Sequence, residues 1–160
     1  MQLGARRVQK RYVCLCRGWV PPGPSRIELP LQKVLQPGGT SRSVVSQRGR
    51  SAKTDLLGVS HLVHPGAGPV SLVEVRLHTG RLHQIRVHMA SQGHPLVGDA
   101  AYGGDVAETS AWCQRIFLHA CRLSVDIGDG PLDIQVPLPA DLRHALMALQ
   151  PVDQQGLRLW

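Results

Sequence analysis

The segment from Val73 to Gly93 constrains this chain more than any other. Val73, Val75 and Leu77 alternate with Glu74, Arg76 and His78, the period-two pattern of a strand with one buried face. Thr79-Gly80 breaks it, and Leu82, Ile85 and Met89 then recur at i, i+3 and i+7, which predicts a short amphipathic helix. Thr79 is placed to cap that helix. Gly93 sits where a C′ glycine belongs, and Pro95 cannot continue the helix. A chain that passes from period two to a helical period across one turn is a mixed α+β chain.

The flanks extend this pattern with more strand than helix. Val8–Cys16, Ser43–Gln47 and Thr54–Leu62 read as strands, and Ile27–Leu31 as a short extended stretch. Residues 116–127 and 132–138 read as two more strands joined at Gly128-Asp129-Gly130. Leu142, Ala145, Leu146 and Leu149 mark a final helix. With 160 residues and 17.4 kDa, the chain is one ordinary domain or part of a larger one. Aromatic residues make up only 4%, so the core must rest on Leu, Val, Ile and Ala. No apolar run approaches the ~18 residues of a membrane span.

Charge divides the chain. Residues 1–54 carry eleven Lys and Arg against one acid, Glu28, a net of +10; residues 55–160 carry seven against ten, a net of −3. A basic half attracts polyanions, nucleic acid above all, although a merely solvated basic face has the same composition. Arg6, Arg7, Lys10, Arg11 and Arg17 are the cluster that would bind RNA with steep salt dependence. The acid-free start also resembles an organelle transit peptide, but it lacks the serines, and Val8–Cys16 reads better as strand. Cys14, Cys16, Cys113 and Cys121 form no C-x-x-C pair, so reduced thiols in a reducing compartment are expected. The histidines His78, His83 and His88 recur every fifth residue, which scatters them around a helix; no zinc spacing is present.

The turn Thr79-Gly80-Arg81 puts backbone N–H groups and an arginine at a helix start, an anion-binding arrangement. Arg86, beside the apolar row, needs a carboxylate or phosphate partner, and an internal salt bridge would serve equally.

Residues 79–88 read T-G-R-L-H-Q-I-R-V-H, followed by G-H-P-L-V-G-D at 93–99 and Tyr102-Gly103. These blocks closely resemble the signature of the RluA-like pseudouridine synthases, with Leu82 where the family has Thr. Lys10-Arg11-Tyr12 resembles the family's K-x-Y strand, Ala52-Lys53-Thr54 its A-x-T segment, Leu118-His119-Ala120 its L-H-A strand and Pro137-Leu138-Pro139 its P-L-P ending. The resemblance implies the pseudouridine synthase catalytic-domain fold with a largely antiparallel central sheet, spanning residues 1–150 and followed by a tail at 151–160. It implies isomerisation of uridine to pseudouridine in rRNA or tRNA, without cofactor or metal, on a base flipped into a pocket. Tyr12 resembles the stacking tyrosine and Arg86 the arginine that pairs with the nucleophilic aspartate. Ile85 resembles the apolar contact beside the base. Arg81, Thr79, Gly80, Lys10 and Arg11 are the expected substrate-binding residues, while His83 and Gln84 are expected to order the turn. In a complete version of the domain, Arg86→Ala is expected to abolish turnover and leave the fold intact.

The family's H-R-L-D segment, which carries the aspartate, does not occur in this sequence. The expectation is a catalytic domain with its N-terminal portion missing. It is either the C-terminal part of a longer synthase or a shortened, non-catalytic RNA-binding or assembly module. Asp55, Asp99, Asp105 and Glu108 are poor substitutes for the nucleophile. The sheet is expected to be open near Val8–Cys16, an edge that a partner chain would cover. The resemblance is compatible with the cytoplasm, or with a mitochondrial or plastid matrix.

Overall fold

The structure is a computed structural model that describes residues 8–104, 106–126 and 130–152. Arg6, Arg7, Asp105, the Gly128-Asp129 part of the expected turn and most of the expected tail lie outside these residues.

The main sheet uses β1 (Val8–Arg17), β2 (Ser25–Glu28), β5 (Lys53–His64), β6 (Gly68–Leu77), β7 (Leu118–Asp126) and β8 (Pro131–Gln135). Their order is β2-β5-β6-β1-β7-β8, every pairing is antiparallel, and the short β9 (Gln150–Pro151) pairs with β5. The tail boundary expected at residue 150 therefore falls inside a paired strand. A separate hairpin joins β3 (Leu31–Leu35) to β4 (Ser41–Val45). Three α-helices, α1 (Gln84–Ser91), the one-turn α2 (Val106–Thr109) and α3 (Ala140–Met147), and a 3-10 turn at Ala100–Tyr102 complete the described residues.

The alternation along β1 divides the core. Val13 and Leu15 face one layer with Val70, Leu72, Phe117 and the α3 residues Leu142 and Ala145. Cys14 and Cys16 face the other with Val73, Val75, Ile85, Met89 and Leu96. All four cysteines are free. This sheet with helices on both faces is the expected α+β architecture.

Three expectations need correction. Val8–Cys16 is not an open edge: β1 is interior, bonded along its length to β6 on one side and β7 on the other. Among the described residues the strand order ends at β2 and β8, and β9 is a further edge beside β5. Strand β7, more than a hundred residues later, covers the side that looked open, and local alternation carries no trace of such a pairing.

The helix also starts later than its apolar row suggested. Leu82 lies in the preceding turn and is 40% exposed. Thr79 is no cap; its hydroxyl accepts from the Lys53 amide (2.9 Å) and donates to Gln84 Oε1 (2.8 Å). Nor is α1 one-sided. Gln84, Ile85, Val87, His88 and Met89 are all buried, because the sheet covers one side and Leu31, Ala52 and Tyr102 pack on Val87 from the other. The far end follows expectation. Gly93 (φ +82°) donates to Ala90 O at 3.0 Å and His94 to Met89 O at 3.0 Å, the paired bonds of a Schellman motif.

The third correction concerns the basic cluster of the N-terminal strand. Arg11 pairs with Glu74 (3.2 Å) and Arg17 with Glu108 (2.6 Å). Lys10 and Arg17 stand seven strand residues apart, about 23 Å. These cations do not form one free face.

Candidate active site

A cavity of about 520 Å³ opens where β1, the end of β6, the start of α1 and the approach to β7 meet. Its apolar wall is Leu77, Ile85, Ile116 and Leu118; Tyr12 lies across it, and Arg81, Arg86 and Arg115 supply cationic groups. That size and mixture suit a small planar ligand with a polar edge.

Tyr12 reaches the cavity from mid-sheet, opposite Val75 on β6 and Ala120 on β7. The register with β7 shifts between Arg11 and Tyr12, and a bulge of this kind re-aims a side chain out of the regular pleat. Arg11 points to the opposite face, toward Glu74 and Cys121. It does not join the cavity, contrary to its expected role. Lys10 does not line the cavity either.

The turn before α1 is held by Gln84. Its Oε1 accepts from Thr79 Oγ1 and the Arg81 amide, and its Nε2 donates to Lys53 O and Thr54 Oγ1 (3.0 and 2.9 Å). Thr79 thus builds the turn and does not reach the cavity, while Gly80 opens into a neighbouring groove. Thr54 passes the network on to His88 Nδ1 (2.9 Å), and His88 Nε2 donates to Leu29 O (3.0 Å). The carbonyl can only accept, so His88 carries its proton on Nε2 and accepts at Nδ1. Burial pushes its pKa down, which keeps the ring neutral.

His83 is the one non-glycine residue at positive φ among the described residues (φ 54°, ψ 24°), a sparsely populated conformation that tends to gather at functional sites. Its Nδ1 meets Tyr102 Oη at 2.9 Å, and the Ser43 amide donates to the same hydroxyl at 3.0 Å. Burial, and next the charge of Arg86, lower the pKa of His83.

Arg86 does not stand unpaired. Its Nε and Nη2 both bond the Asp99 carboxylate at 2.7 Å. Asp99 is completely buried and the Arg86 side chain is 14% exposed. The Tyr102 ring lies 4.8 Å from the Arg86 guanidinium carbon and 5.0 Å from that of Arg42. Of the two alternatives for Arg86, the internal salt bridge is the one observed. The pair bears on the expectation that Arg86→Ala spares the fold, because the substitution would strand a buried carboxylate. Asp99, a poor substitute for the nucleophile by sequence, anchors one edge of Arg86, and Nη1 is the remaining edge.

No carboxylate lines the cavity among the described residues. Asp55, the acid nearest the A-x-T segment, is clamped elsewhere by Arg26 (2.6 Å), Arg76 (2.7 Å) and His78 (2.7 Å). Hydrogen bonding from Arg26 and then from His78 and Arg76 holds its carboxyl far below the usual range, against the opposing effect of burial.

Tyr12, Arg81, Ile85 and Arg86 are therefore brought together as expected. Arg115 and Ile116 had no sequence signal; they arrive because β7 lies beside β1. Asp99 and Tyr102 stood in the G-H-P-L-V-G-D and Y-G blocks without an assigned role.

The profile of the RNA pseudouridylate synthase family matches residues 1–91. An uncharacterized RNA pseudouridine synthase of Chloroflexus aurantiacus is 38% identical over 151 residues, 93% of this chain and 45% of the relative. Ribosomal large subunit pseudouridine synthase C of Yersinia pestis is 34% identical over 155 residues, 93% and 47% of the two chains. The solved structure of human RNA pseudouridylate synthase domain containing 1 superposes with a TM-score of 0.74 at 29% identity, covering 91% of this chain and 60% of that one. The chain spans about half the length of these curated relatives. In sequence and in fold, then, the chain belongs to the RluA-like RNA pseudouridine synthase family.

Proposed function

We propose that this chain forms the base-binding part of an RNA pseudouridine synthase, its cavity receiving a uridine turned out of RNA. The observation that carries this reading is the convergence of Tyr12, Ile85 and Arg86 on one cavity that joins an apolar wall to cationic groups. Tyr12 offers its ring to the uracil face, Ile85 and Leu118 exclude water, and the Nη1 edge of Arg86 pairs with a carboxylate or a uracil oxygen. In the isomerisation the bond from C1′ to N1 breaks and a bond from C1′ to C5 forms. The C5 proton leaves and N1 gains one, so the product is an isomer and no oxidant or donor is consumed. This reading assigns the Tyr12 hydroxyl a part in the C5 proton transfer.

A second reading has its own support. With no cavity carboxylate among the described residues and Arg86 already bound to Asp99, the chain alone would act as a non-catalytic RNA-binding module. Incubation with RNA labelled with tritium at uridine C5, read beside binding to the same RNA, separates the two. Tritium release by this chain supports the enzyme reading, and Tyr12→Leu should then lower release at least ~10²-fold, the scale of a lost acid–base group. Binding without release favours the module. Absence of both overturns the RNA assignment.

A further inference from the structure

We propose that the groove between the β3–β4 hairpin and the Gly80–Leu82 turn holds the phosphodiester backbone of the RNA strand whose nucleotide enters the cavity. This rests on the RNA reading above and deepens it. The groove encloses about 260 Å³ and is lined by Lys33, Arg48, Arg50 and Arg81, with no carboxylate among its lining residues. The stretch from Leu29 to Thr54 carries five cations and no acid.

The pairing of charges elsewhere makes this cluster stand out. Among the described residues seven arginines hold carboxylates: Arg11, Arg17, Arg26, Arg76, Arg86, Arg115 and Arg122. Lys33, Arg48 and Arg50 are exposed, and none pairs with a carboxylate among the described residues. Unpaired cations gathered in one groove form a local positive potential that a chain of phosphates would neutralise.

The groove is built rather than draped. Arg50 and Leu31 exchange both backbone hydrogen bonds (2.8 and 2.9 Å). Gly49 packs so tightly on Leu31 that a Cβ there would lie 2.4 Å from its carbonyl carbon. The Arg48-Gly49-Arg50 turn is thereby fixed to the hairpin. A Cβ at Gly80 would meet nothing within 4 Å, which leaves the opposite wall open to another backbone. Arg81 lines both the groove and the cavity, so a strand seated in one is adjacent to the other.

The test is a titration of the whole chain with a fluorescent RNA stem-loop carrying loop uridines, repeated between about 50 and about 200 mM salt. Arg48→Gln/Arg50→Gln should weaken binding about tenfold or more at the lower salt. It should also reduce the log–log salt slope by about 1–2, near 0.7 for each lost single-strand contact. Arg48→Lys/Arg50→Lys should keep most of the slope. Arg122→Gln, away from the groove, should leave it unchanged. Unaltered affinity and slope in the Gln pair overturn the groove and spare the RNA reading. An equal loss in Arg122→Gln also overturns it, because diffuse surface charge would then explain binding. Failure of the parent chain to bind RNA overturns both.

Discussion

Arg86 shows how far a residue's role depends on its partner. Its bidentate bond to Asp99 raises its own pKa, and the completely buried carboxylate has no access to water. Removing the cation alone should cost about 3–5 kcal/mol, the usual penalty for breaking a buried pair. Removing both charges should recover part of that loss. Urea unfolding of Arg86→Ala and Arg86→Ala/Asp99→Asn measures the difference. A single variant within about 1 kcal/mol of the parent would contradict the burial argument.

His88 makes the pH dependence predictable at the same scale. The fold holds it neutral with a lowered pKa, so below the ordinary value of 6.5 the unfolded chain binds a proton that the folded chain refuses. Its contribution to stability is complete above about pH 6.5 and is lost as pH falls toward the folded-state pKa. His83, lowered in the same direction, adds to this first decline. Asp55 acts later. Its stabilisation is complete above the ordinary carboxyl value of 3.8 and is lost only as pH falls further. Thermal midpoints across pH should therefore drop in two stages, and His88→Gln, which keeps a donor toward Leu29 O, should shrink the first.

At the scale of elements, the turn after α1 sets the cavity wall. Gly98 has φ +78°, and a Cβ there would lie 2.4 Å from Arg115 O. The turn thus abuts the backbone leading into β7, which carries Arg115 and Ile116 to the cavity. Gly98→Ala should cost about 1–3 kcal/mol from its φ alone, with the clash in addition. The unfolding midpoint should fall by several degrees; an unchanged midpoint would mean that this contact relaxes freely. The helix itself illustrates a limit of pattern reading. The row Leu82, Ile85, Met89 located α1 but misplaced its start, because Gln84 outcompetes Leu82 for the first turn by filling four polar bonds with its side chain.

At the scale of the whole molecule, the cavity joins Tyr12 to Leu118, over a hundred residues apart, and the groove joins Arg50 to Arg81. Neither adjacency is encoded locally. The sheet order places β1 between β6 and β7, which brings the tyrosine opposite the arginine of α1 and seals the side that the chain order leaves open. The same packing sorts the basic residues into those that meet an acid and those that do not.

The sequence alone determined what short-range physics can specify. Alternation located the strand Val73–Leu77, Gly93 located the end of the helix, and the run from Thr79 to His88 with Tyr12 pointed to the family and to most of the cavity. These depend on backbone preferences and on residue types at fixed spacing. Tertiary structure decided the rest: that β1 is interior, that Asp99 is the partner of Arg86, that Arg11 turns away to Glu74, and that Arg48 and Arg50 pair with no carboxylate among the described residues. Such facts depend on which distant groups come within a few ångströms. Coulomb and hydrogen-bond energies are decided at that range, and a linear sequence does not state those distances.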